Sequence, residues 1–70
     1  MKRKVKLLEK HIKVLETLPE QGMGYQIVDI NMEEGKHLNK RIVLNSSFLV
    51  LEGDELIDPN KIASINLHQG

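Results

Sequence analysis

The sequence predicts an α+β fold, in which a basic amphipathic helix near the N-terminus packs on a small antiparallel β-unit. Three observations predict it. Apolar residues recur at helical spacing as far as Leu18, the period drops to two after Gly24, and turn-forming residues then return about every ten positions. The 70 residues are assigned to one domain, with a helix over about 3–18, a connector over 19–24 and a β-unit over 25–68.

At roughly 100° per residue, Val5, Leu7, Leu8, Ile12, Val14, Leu15 and Leu18 share one arc of the predicted helix. Lys2, Arg3, Lys6, Glu9, Lys10, Lys13, Glu16 and Thr17 fill the opposite arc. Pro19 ends the helix because its ring disfavours α geometry one residue earlier, and Gly22-Met23-Gly24 supplies a connector. Lys2, Arg3 and Lys4 oppose the helix dipole at its positive end, so the first turn is expected to fray.

From Tyr25 to Met32, Val28, Ile30 and Met32 alternate with Asp29 and Asn31. Glu33-Glu34-Gly35-Lys36 reads as a turn with Gly35 at a positive-φ position. From His37 to Asn45 the alternation directs Leu38, Ile42 and Leu44 inward and His37, Asn39, Arg41 and Asn45 outward. After the turn Asn45-Ser46-Ser47, the run Phe48-Leu49-Val50-Leu51 suggests a strand covered on both faces. Glu52-Gly53-Asp54 turns the chain, Glu55 to Ile57 pairs briefly, Asp58-Pro59-Asn60 makes a corner, and Ile62 to Leu67 forms the last strand. The helix is expected to cover Val28, Ile30, Leu38, Ile42, Leu44, Phe48 and Val50.

A short helix followed by three to five strands resembles the layout of Sm-like and other SH3-type barrels, which implies a meander or a partly open barrel. The resemblance is one of layout and carries no function. After Leu44 the chain reads Asn45-Ser46-Ser47-Phe48, without the Arg-Gly pair of the Sm family's RNA-contacting pattern.

Composition narrows the functional classes. Cysteine is absent, which removes disulfides, zinc-cysteine sites and thiol catalysis. A domain this small buries only about 60% of its unfolded surface, so self-association is the expected supplement to stability. Tyr25 and Phe48 are the two aromatic residues, too few for a base-stacking platform. The basic start lacks a following apolar signal core, and no segment approaches the roughly 20 apolar residues of a membrane span. A cytoplasmic location without membrane contact is therefore expected. The net charge of zero hides a split, with +5 over residues 1–15 and −5 over residues 16–70.

No catalytic, cofactor or metal site is expected. His11, His37 and His68 have no second histidine at helical spacing. His11 falls within the apolar arc, where burial should keep it neutral. Glu33 and Glu34, and Glu52, Asp54, Glu55 and Asp58, read as solvated turns without calcium-loop spacing. Ser46, Ser47 and Ser64 lack a nucleophile elbow. Asn45-Ser46-Ser47 matches a glycosylation sequon, which without a secretion signal carries no weight.

The remaining candidate is the stripe of Lys2, Arg3, Lys6, Lys10 and Lys13, which suits an anion or a partner. It could meet phosphates, anionic lipid or the acidic part of another copy, or be a solvated face. The expectation is a non-enzymatic interaction module that self-associates or binds another protein. The alternative is weak nucleic-acid binding through the stripe.

Overall fold

The computed structural model describes residues 3–20 and 22–68. It contains β1 (Lys4–Lys6), α1 (Glu9–Glu16), β2 (Tyr25–Met32), β3 (His37–Leu44), β4 (Phe48–Val50), a 3-10 turn at Pro59–Lys61 and β5 (Ile62–Leu67). The five strands form one open antiparallel sheet in the order β1-β4-β3-β2-β5. No helix among the described residues is long and apolar enough to cross a membrane.

The helix is shorter than the periodicity predicts, because Lys4–Lys6 forms a strand against β4. Lys4-Val5-Lys6 alternates polar and apolar residues, a pattern that serves a strand as well as a helix. Arg3 and Lys4, which would oppose the dipole, stay out of α1, which instead begins at Glu9, an acid that suits a helix N-terminus. Helix α1 buries His11, Ile12 and Leu15, while Val14, expected on the covered arc, is half exposed.

Two connections follow their turn chemistry. Asn45 and Ser46 both take positive φ (51° and 58°), and Ser47 N–H donates to the Leu44 carbonyl at 3.0 Å. The positive φ values twist the chain in the sense that suits a hairpin, and Asn45, Ser46 and Ser47 form the three-residue loop between the paired Leu44 and Phe48. Gly35 takes a φ of 92° between β2 and β3, as the sequence predicts.

Strand β3 departs from simple alternation. Val28 pairs with Arg41 and Ile30 with Leu38, so Asp29 faces two residues, Asn39 and Lys40. Lys40 has a φ of 54°, and its N–H donates to Asp29 Oδ1 at 3.0 Å. One extra residue in a strand reverses the facing of every residue beyond it. Leu38 packs on the core as expected, but Arg41 and Val43 turn inward while Ile42 and Leu44 turn outward. β5 has a matching irregularity at Ala63, between the pairs Asn31↔Ser64 and Met32↔Ile62.

The core joins Leu7, Ile12 and Leu15 to Val28, Ile30, Met32, Val43, Leu49, Ile62 and Ile65. Each such side chain contributes about 1.5–3 kcal/mol on full burial. Polar anchors complete it. Gln26, 1% exposed, donates from Nε2 to the carbonyls of Leu15 (3.0 Å) and Leu18 (3.2 Å), and its Oε1 accepts from Ser46 Oγ (3.2 Å). It thereby adds a second donor to the Leu15 carbonyl, which already accepts the Leu18 N–H at 3.1 Å, and supplies one to Leu18 just past the end of α1. Arg41, 3% exposed, pairs through both terminal nitrogens with the Glu55 carboxylate.

Candidate functional site

The outer face of the sheet, away from the core, divides into an apolar half and a polar half. Tyr25 pairs with Leu44, Leu44 with Phe48 and Phe48 with Lys6, forming one row across four strands. Ile27 pairs with Ile42 in the next row, and Val50 pairs with Lys4. Their inward neighbours Gln26, Val28, Val43 and Leu49 are buried. Tyr25, Ile27, Ile42, Leu44, Phe48 and Val50 thus form a contiguous apolar surface, with Tyr25 and Ile42 36% and 38% exposed. Ile42, Leu44, Phe48 and Val50 were expected under the helix, and the bulge at Lys40 accounts for the first two. Phe48 and Val50 follow because the register of β4 matches them to that outward set.

The polar half carries two hydrogen-bonded groups. His68 Nδ1 lies 2.8 and 3.0 Å from the two carboxylate oxygens of Asp29. His37 Nδ1 meets Asn31 Oδ1, and Asn31 Nδ2 donates to Ser64 Oγ at 3.0 Å. The Lys40 N–H, foremost, and the His68 side chain hold the Asp29 carboxyl below its ordinary range, against a smaller opposing effect of desolvation. No group of three or more His, Cys, Asp or Glu able to hold a metal ion occurs among the described residues.

The basic candidates do not form one helical stripe. Lys2 lies outside the described residues. Arg3 clasps the loop before β5, donating from Nη2 to the carbonyls of Gly53 (2.7 Å) and Glu55 (2.9 Å). Lys4 places its ammonium 4.9 Å from the centre of the Phe48 ring, a cation–π contact at the margin of the apolar surface. Lys6 is exposed on β1, and Lys10 and Lys13 are exposed on α1. The acidic turns also differ from the expectation in one place. Glu55 pairs with buried Arg41, which holds its carboxyl below the ordinary range.

A groove of about 290 Å³ lies between α1 and β5, lined by Lys10, His11, Val14, Ala63, Ser64 and Ile65. His11 is 7% exposed, and its Nδ1 has no hydrogen-bond partner. Burial, and secondarily the Lys10 charge, lowers its pKa from 6.5, against the opposing effect of a backbone hydrogen bond with Ile62.

Sequence reasoning missed the outward apolar surface and the buried roles of Gln26 and Arg41. The two-sided apolar run at Phe48–Leu51 was the available signal, since it implied something to cover each face. The chain matches no family model, no curated protein and no solved structure, so its function has to be argued from this geometry.

Proposed function

We propose that this chain is a non-enzymatic interaction module that associates with copies of itself through the outer face of its sheet. The observation that carries the reading is the contiguous surface of Tyr25, Ile27, Ile42, Leu44, Phe48 and Val50 on the side away from the core. Apolar patches of this kind are characteristic of association sites, and two sheets packed face to face enclose such side chains between them. A small domain without cysteine gains the apolar burial that it cannot supply alone. Charge supports a second copy as the occupant. Lys4 and Lys6 border the surface at the β1 side and Asp29 borders it at the other, so a two-fold pairing about the strand direction sets opposite charges together. An SH3-like layout belongs to this reading as a scaffold. The strands present the surface and α1 stays on the core side.

Sedimentation equilibrium from tens of micromolar to about one millimolar tests the proposal, because association follows mass action. The wild-type chain dimerises over this range. Ile42→Glu, at an exposed position, abolishes the dimer while leaving the circular dichroism spectrum unchanged. Because the centre of the contact is apolar and only its border is charged, raising the salt weakens dimerisation slightly, whereas phosphate binding through lysines would weaken steeply. A monomer at every concentration removes the reading.

A further inference from the structure

We infer that the groove between α1 and β5 is a docking site for an extended peptide, which adds as a strand to β5 and places an acidic and a hydroxyl side chain toward α1. The site is separate from the sheet face proposed for self-association.

Strand β5 stands at the end of the sheet, with β2 as its neighbour. His68 N–H donates to the Ile27 carbonyl at 2.9 Å, so alternation directs the backbone groups of Ser64 and Asn66 toward β2 and those of Ile65 and Leu67 toward the open edge. Ile62-Ala63-Ser64-Ile65-Asn66-Leu67 contains no charge, proline or glycine, and beyond the irregularity at Ala63 the stretch Ser64–Leu67 keeps a regular register, so this part of the edge lacks the charges and prolines that usually deter strand addition. The other edge, β1, is three residues long and carries Lys4 and Lys6.

The groove beside this edge has a chemical character. Lys10 supplies a cation, no carboxylate lines the groove among the described residues, and Val14 and Ile65 supply aliphatic surface. His11 is more than nine-tenths buried with Nδ1 unpartnered, a polar group that the fold leaves unmatched. A neutral imidazole carries one donor and one acceptor nitrogen, so Nδ1 calls for a partner able to play either part. A Ser or Thr hydroxyl provides one, a neighbouring Glu or Asp meets Lys10, and an aliphatic residue covers Val14. β5 of a second copy is uncharged and would bring nothing to Lys10, which favours a separate acidic segment.

The test is an amide chemical-shift titration of the full chain with the blocked peptide acetyl-Glu-Ser-Thr-Ser-Val-Ser-amide, its reversed sequence, and versions of both with Lys in place of Glu. One acidic peptide should shift the amides of Ala63–Leu67 and of the α1 turn around Lys10–Val14, and slow hydrogen exchange at Ile65 and Leu67. It should bind at least roughly threefold more tightly than its lysine version, the scale of one exposed ion pair. Lys10→Glu should reverse that preference. Ile42→Glu should leave peptide binding unchanged, so that failure of self-association and failure of this site are told apart. Three results would each overturn the proposal: no shift at several millimolar peptide, equal binding of acidic and basic peptides, or shifts confined to the outer face.

Discussion

The Asp29 carboxylate accepts the Lys40 N–H at 3.0 Å, and this bond sits where β3 gains its extra residue. Beyond that point the strand's facing is reversed, so one side-chain-to-backbone bond helps decide which residues the outer surface displays. Asp29→Ala should lower the melting temperature and accelerate exchange at the Lys40 amide. Asn at the same position retains an acceptor and should restore most of both. Unchanged exchange at Lys40 in the alanine variant would show that the bulge is held by other means.

Gln26 links the end of α1 to the β3–β4 turn through Leu15, Leu18 and Ser46. Gln26→Leu keeps the volume but takes the Gln26 amide away from the Leu18 carbonyl and the Ser46 hydroxyl, a loss of about 2 kcal/mol in urea unfolding. If the variant were as stable as the wild type, the contribution of this network would be negligible.

The Arg41 guanidinium is enclosed, with Glu55 as its hydrogen-bonded carboxylate partner and exposed Glu52 3.8 Å from its Nε. Removing one member of a buried pair strands the other, so Glu55→Gln should destabilise by about 2–3 kcal/mol. Replacing Arg41 and Glu55 together with Met and Leu should cost less than the single change, and a double-mutant cycle measures the difference.

His11 gives stability a defined pH dependence. Its pKa in the folded chain is below 6.5, so between the two values the unfolded chain binds more protons. Stability from this group is complete above about pH 6.5 and is lost as the pH falls toward the lowered folded value. The pH profile of His11→Gln should be flatter over that window. Superimposable profiles for the two proteins would rule His11 out as the source.

Much of the scaffold was legible in the sequence. The α+β class, the positions of β2, β3, β4 and β5, the Gly35 turn and the burial of His11 all follow from period, turn chemistry and the apolar arc. Lys4–Lys6 was ambiguous because three alternating residues satisfy a strand and a helix alike, and pairing with β4 settles it. The site itself was less legible. Lys40 gives no sign of a left-handed backbone, so the reversal that turns Ile42 outward and Arg41 inward could not be read from alternation. Arg3 and Lys4 are partnered by groups far away in the chain, Gly53 and Glu55 for the one and Phe48 for the other, which no wheel displays.

The shortness of β1, together with its two ammonium side chains, bears on how large an assembly can become. Cross-β growth requires each added molecule to offer a receptive margin at both ends. Even with β5 accepting a strand as inferred above, the β1 end stays blunted, so addition would stop after a single step and fibre formation would be suppressed.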